Sequence, residues 1–293
     1  MRRPWESFPF MVGTGAILGA LTGGVPAYAR EVSTVALVLA MTFSLTEVRF
    51  TGLSPRAEAR AFGRAFGWNY IVLTGVILVL SNFFAKPSIR SGWVVMAALP
   101  SAVAVIPLTA AFRGNVRSSL VSTAFLYVAA LGAYPAITLA FAGQAVDLKD
   151  LAIQILIQIA LPLVVSRPLA GSPEIARYRP VLVNASFFTL VFALVGANRA
   201  VFVQDSALIA ALAVGAFLRT WGIGALVYVL SPRLGATPAQ RVSDTLFASL
   251  KNLGLAALLA FSLFGAAAAL PAIVCLFFEI SWLIPMSRLF RRL

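Results

Sequence analysis

The chain has 293 residues, 60% of them hydrophobic and only 11% charged, with 23 Lys and Arg against 10 Asp and Glu and a net charge of +13. A soluble domain carries about 25% charge, so this composition excludes a water-soluble globule. No His and a single Cys leave no material for a zinc cluster, a disulfide framework or a Ser-His-Asp triad; no metal, no cofactor and no enzymatic activity is expected.

Apolar runs of about 20 residues, enough to cross a bilayer, recur from end to end. In chain order they predict ten spans, at 8–26, 33–51, 66–84, 92–112, 118–141, 151–165, 181–202, 207–230, 242–264 and 267–290. The expected fold class is an all-α membrane protein, with 1–293 as one transmembrane domain. The first run follows Arg2-Arg3 and leads to Ala27-Tyr28-Ala29, a pattern that also fits a cleavable signal peptide. Retaining it keeps the span count even. The sequon Asn184-Ala185-Ser186 falls inside a span, where it has no glycosylation meaning. Cys275 reads as a small packing residue.

The basic residues test the count. With termini and loops numbered alternately, one side of the membrane receives Arg2, Arg3, Arg49, Arg56, Arg60, Arg64, Arg113, Arg117, Arg167, Arg177, Arg179, Arg233, Arg241, Arg288, Arg291 and Arg292. The other side receives Arg30, Lys86, Arg90, Lys149 and Arg199. This asymmetry puts both termini in the cytoplasm, in a plasma or bacterial inner membrane. It also explains the net positive charge without nucleic acid. Glu47 and Arg49 read as interfacial charges, and Trp5, Trp68, Trp93, Trp221 and Trp282 as packing or interface anchors.

Ten spans divide into two sets of five, 1–145 and 146–293, and an odd number per half forces opposite orientations. Inverted repeats of this kind place their sites at the midplane on interrupted helices. The fourth span of each half is therefore informative. Span four carries Pro100 and Pro107, and each removes a backbone donor and clashes with the preceding turn. Irregular backbone there is tolerated only when it is buried in protein or lines a cavity. Span nine, its counterpart, carries Ser249, Lys251, Asn252 and Gly254. A Lys at the bilayer centre costs roughly 2.5–3.5 kcal/mol on insertion scales, which points to a use: holding an anion, replacing a bound cation, or titrating. Arg219 in span eight and Glu279 in span ten lie at similar depth, and Glu279 could pair with Lys251 or with Arg219. Asp244 at the start of span nine suits a helix N-terminus.

At spans four and nine the chain resembles the bile acid:sodium symporter family, within the bile-acid, arsenite and riboflavin transporter superfamily. The family's Ala-Pro-Gly-Gly-Thr-Ala-Ser-Asn segment and following Gly-Asn/Asp-Val loop are matched by Leu99-Pro100-Ser101 and Arg113-Gly114-Asn115-Val116. Its Glu-x-Gly-Met-Gln-Asn-x-x-Leu segment is matched in register by 247–255, and Leu270-Pro271-Ala272 and Ile280-Ser281 are also similar. The resemblance implies a core domain, a panel domain, two helices crossing at the centre, and transport by alternating access. It also implies that the family's sodium ligands are largely gone. The span-four Ser-Asn is Val105-Ile106, the span-nine Glu is Phe247, the span-nine Gln is Lys251 and the span-three Gln is Asn69, while Ser119 and Thr123 keep their hydroxyls. Sodium is a hard cation that needs oxygen ligands, by the logic that governs calcium; Val, Ile and Phe supply none.

Phe247 and Lys251 are four apart, which places them on one helical face, so Lys251 is expected to stand where relatives hold an ion. The expectation is a secondary transporter of small organic anions of the bile-acid or carboxylate type. It does not couple to sodium; a Lys251 that gains and loses a proton, or Glu279 as carrier, would make protons the partner. Asn69, Ser119 and Thr123 complete the coupling set, and Ser101, Thr109, Arg219 and Asn252 are the expected substrate ligands. A non-transporting anion-binding receptor in the same cavity is the competing reading.

Overall fold

The computed structural model describes residues 4–47, 58–142 and 148–290. Six of the tallied arginines (Arg2, Arg3, Arg49, Arg56, Arg291 and Arg292) and the expected repeat boundary lie outside these residues. Among the described residues there is no strand. Eight helical stretches are long and apolar enough to cross a membrane, and Phe8–Thr22 is a shorter apolar helix. The protein is thus a multi-pass helical membrane protein.

The helices are α1 (Phe8–Thr22), α2 (Ala29–Leu45), α3 (Ala59–Ser81), α4 (Pro87–Ala98), α5 (Val105–Ala111), α6 (Val116–Ala142), α7 (148–169), α8 (Pro173–Ala197), α9 (Arg199–Gln204), α10 (Ser206–Leu234), α11 (Pro238–Ser249), α12 (Leu253–Phe264) and α13 (Leu270–Phe290). Spans four and nine each cover a broken pair, α4 with α5 and α11 with α12; span seven covers α8 and the short α9, the others overlap one helix each, and span two runs past 47, outside the described residues.

Two groups of helices form. In one, α1 and α2 pack on α8, and α7 packs on α2. Apolar burial does not drive helix association in lipid, so close backbone contact must. Gly15 and Gly19 provide it, because a Cβ at either position would stand 2.7 or 2.5 Å from the carbonyl oxygens of Phe188 and Phe192 on α8. In the other group α3, α4, α5, α6 and α10 through α13 surround the two breaks. There α12 is buried from Leu253 to Ala260, and it touches both α4 and α2.

The breaks follow local chemistry. Helix α4 stops at Ala98, Leu99 turns extended (φ −88°, ψ 158°), and helix resumes at Val105. Pro100 sits in the break, whereas Pro107 occupies the first turn of α5, where its missing N–H is not needed. Helix α11 starts with a capping box, Thr237 and Gln240 exchanging side-chain and backbone hydrogen bonds, and ends at Ser249 with Leu250 extended. It resumes at Leu253 under Asn252, whose Oδ1 accepts from the Leu255 amide at 3.1 Å. The helices ahead of the broken pairs, α3 and α10, carry wide π-type turns at Gly67–Leu73 and Leu218–Gly222, as α7 does at Leu156–Ala160. Such turns favour functional positions because they turn a side chain out of the regular ladder.

Candidate functional site: the junction of the two broken helices

The two breaks are joined directly. The Asn252 amide donates to the Pro100 carbonyl at 3.0 Å. Each break leaves the last carbonyls of a half-helix without intrahelical donors, inside protein where water cannot serve them. The sequence answers with cations.

Lys251, 1% exposed, projects from the second break to the end of α4. Its Nζ donates to the Leu99 carbonyl at 2.6 Å and lies 3.1 Å from the Ala97 carbonyl. Three oxygens of α3 complete the shell: the Asn69 carbonyl at 3.3 Å, Asn69 Oδ1 at 3.2 Å and Thr74 Oγ1 at 3.1 Å. The Thr74 hydroxyl in turn donates to the Ala97 carbonyl at 2.7 Å. The Tyr70 ring centroid is 5.0 Å away, within cation–π range.

The end of α11 is held by α10 and α3. Arg219, fully buried, donates through Nη2 to the Ser249 carbonyl at 2.7 Å and to Glu279 Oε1. Glu279 Oε1 also accepts the Lys251 backbone N–H at 2.9 Å. Asn69 Nδ2 donates to the Phe247 carbonyl at 3.1 Å. Glu279 therefore pairs with Arg219 through side chains and with Lys251 only through the backbone. One carboxylate thus serves two buried basic residues, Arg219 and Lys251.

Of the expected site residues, the fold brings together Asn69, Arg219, Lys251, Asn252 and Glu279. Asn252 Nδ2 donates to Tyr127 Oη at 2.7 Å and lies 3.1 Å from Met41 Sδ of α2, so it faces the seam between the two helix groups. Ser101 lies in the first break with its Oγ buried and unpartnered. Thr109 and Ser119 form a separate hydroxyl chain, Thr109 to Ser119 at 3.1 Å and Ser119 to Ser243 at 2.9 Å. Thr123 Oγ1 is buried without a partner.

Two expectations change. Lys251 does not share a helical face with Phe247, because α11 has ended by Leu250; the backbone break, not the four-residue period, aims the ammonium. Asp244 is not at a helix N-terminus but nearly two turns inside α11, where it receives Arg64 of α3 (Nε to Oδ1 3.2 Å) and Ser231 Oγ. Arg219 engages Glu279 and the Ser249 carbonyl through Nη2 alone, and its Nε is buried without a partner. Sequence reasoning missed Thr74, Tyr127 and the Ala97 and Leu99 carbonyls. Thr74 carried a faint signal, five residues after Asn69, which is the spacing of a π turn; main-chain carbonyls carry none.

A polar cavity of about 20 Å³ lies between Arg64, Ser119, Ser122, Ser243, Asp244 and Phe247, room for a single water. A larger cavity of about 280 Å³ lies away from the junction, at the ends of α2 and α8 beside Glu47, Ser172 and Arg179. Burial there raises the carboxyl pKa of Glu47, partly countered by Arg179. The neighbouring ion pair, Arg179 Nη2 to Glu47 Oε1, spans 3.1 Å.

Paired interrupted helices whose ends meet inside a bundle of apolar helices are an architecture common in secondary transporters. Comparison with known families agrees. Residues 25–293 match the SBF-like CPA transporter family (DUF4137), and the chain belongs to that family. No curated protein matches the chain.

Proposed function

We propose that this protein is a sodium-independent secondary transporter of small organic anions, in which Lys251 is a built-in replacement for a coupling cation. The carrying observation is the position of Nζ: one buried amine, in a shell of five oxygens, where the two broken helices meet. The two halves support an inverted repeat of five spans each, with ten crossings and both termini cytoplasmic. A π turn precedes a broken pair in both halves, at Gly67–Leu73 before α4 and at Leu218–Gly222 before α11. The group of α1, α2, α7 and α8 corresponds to a panel and the remainder to a core that moves against it.

The anion class follows from charge. Lys251 and Arg219 exceed Glu279 by one, and an anion beside the junction relieves that excess. Ser101, whose hydroxyl has no internal partner, and Asn252, at the seam with Met41, are the ligand-facing groups; Arg219 positions Glu279. Proton coupling would run through Lys251 or Glu279. The Arg64–Asp244 pair and the small polar cavity that they line with Ser119, Ser243 and Phe247 are polar groups that a proton path to the junction could use.

Proteoliposome uptake of a carboxylate panel, with sodium, proton and no gradients, tests the reading. Uptake that ignores sodium and is lost in Lys251→Gln is the expected result. Saturable, sodium-specific stabilisation of the wild type would refute it, as would Lys251→Gln with unchanged uptake and pH response. Anion binding without uptake under any gradient would favour a receptor.

A further inference from the structure

The shell around Lys251 holds more oxygen than an ammonium can use. Lysine has three N–H donors, yet five oxygens lie 2.6–3.3 Å from Nζ. None belongs to the element that carries the lysine. Two are carbonyls at the end of α4, and three come from one wide turn of α3. Each is also fixed without the lysine. Asn69 is tied through Nδ2 to the Phe247 carbonyl, Thr74 through its hydroxyl to Ala97, and Ala97 and Leu99 by the geometry of the helix end. The shell is therefore built by the fold, and the ammonium is its occupant.

We infer that these five oxygens are a monovalent-cation site of ammonium or potassium size, occupied by a tethered cation and open to a free one when the tether is removed. The inference rests on the reading of Lys251 as a built-in cation and adds the chemistry of what the site accepts. Four of its five contacts, at 3.1–3.3 Å, are longer than the about 2.3–2.6 Å of calcium–oxygen ligation, so sodium, which is of similar size to calcium, would be held loosely. All five ligands are uncharged oxygens, which leaves a divalent ion poorly compensated in a buried place. The nearby Glu279 carboxylate is already engaged by Arg219 and the Lys251 amide. Exchanging the ammonium for potassium keeps the charge of the junction unchanged.

The test is thermal unfolding of purified Lys251→Ala, exchanged into the chloride of N-methylglucamine, which is too bulky for the shell. Ammonium, potassium, sodium or calcium chloride is then added at matched ionic strength. Ammonium or potassium should raise the Tm saturably, by about 5 °C at a hundredfold excess over Kd. The wild type should not respond. The rise should vanish in Lys251→Ala with Thr74→Val, which removes one ligand, and in Lys251→Met, whose side chain fills the space. Equal responses to all cations, or the same rise in the wild type, would overturn the proposal; so would sodium or calcium acting best. Failure of both Lys251→Ala and Lys251→Ser to accumulate in potassium-rich cells also counts against it, since a shell that takes potassium would be filled there. None of these readouts involves uptake, so the site can stand if the transport reading falls, and the reverse.

Discussion

The two breaks pose one physical problem and solve it differently. At 99–104 the gap is long, marked by Pro100, and its upstream carbonyls are served by a cation from the other break. At 250–252 the gap is three residues, contains no Pro, and its upstream carbonyls are served by Arg219 and Asn69 from π turns in neighbouring helices. The second break caps its own downstream helix through Asn252. The first has no side-chain cap at Ala104, and its Ser101 hydroxyl is unpartnered. The second break is thus internally satisfied and supplies the charge; the first is passive and retains a free polar group. Rigidity and ligand contact are divided between them.

Breaking the charge balance should have the largest effect. Glu279→Ala leaves Arg219 buried without a counter-ion and the Lys251 amide without an acceptor. A loss of about 3–5 kcal/mol is expected, read by chemical denaturation in detergent; a loss under 1 kcal/mol would show that the pair is not holding the second break. Lys251→Met removes the donor that serves the end of α4. We expect roughly 1–3 kcal/mol for carbonyls left unsatisfied, together with abolished uptake.

A sharper contrast comes from matched changes in each break. Asn252→Ala loses the α12 cap and the Tyr127 contact, and should cost about 0.5–2 kcal/mol. Ser101→Ala breaks no internal hydrogen bond, so it should leave stability within about 0.5 kcal/mol while weakening anion uptake. If the two substitutions destabilise equally, the proposed division of labour is wrong.

The smallest effect lies outside the membrane. Asp205 caps α10 by accepting from the Leu208 amide and pairs with Lys86 at 2.8 Å, and these contacts hold its carboxyl below the ordinary 3.8. A carboxyl with a lowered folded pKa gives stability that is complete above 3.8 and lost as pH falls beneath it. The wild type should therefore show a slight drop in Tm on acidification below that value, and Asp205→Asn should lack it. Because the pair is exposed, salt should weaken it.

Much of the fold was legible because lipid imposes simple rules. A run of apolar residues must be helical to satisfy its own backbone, so the helical stretches could be located along the chain, although some starts were missed by a full turn or more, as at Ala59 and Pro173. Pro100 announced the first break, whereas Lys251 and Asn252 marked the matching span without showing where its helix stops. The site was less legible. The four-residue period mistakenly placed Lys251 beside Phe247, since no residue in Leu250-Lys251-Asn252 signals that the helix stops there. The partner of Glu279 was likewise undecided, because depth along a span says nothing about which neighbouring helix it faces.

The amino-acid sequence alone determined that the chain is a bundle of apolar helices, that two of them are interrupted, and that three charges are kept inside. Tertiary structure alone decided what those charges touch. Helix formation depends on local backbone geometry and on the surrounding solvent, both written in consecutive residues. The oxygen shell of Lys251 is assembled from Asn69, Thr74, Ala97 and Leu99, more than 150 residues away along the chain, and three of those residues act through main-chain carbonyls that every residue possesses.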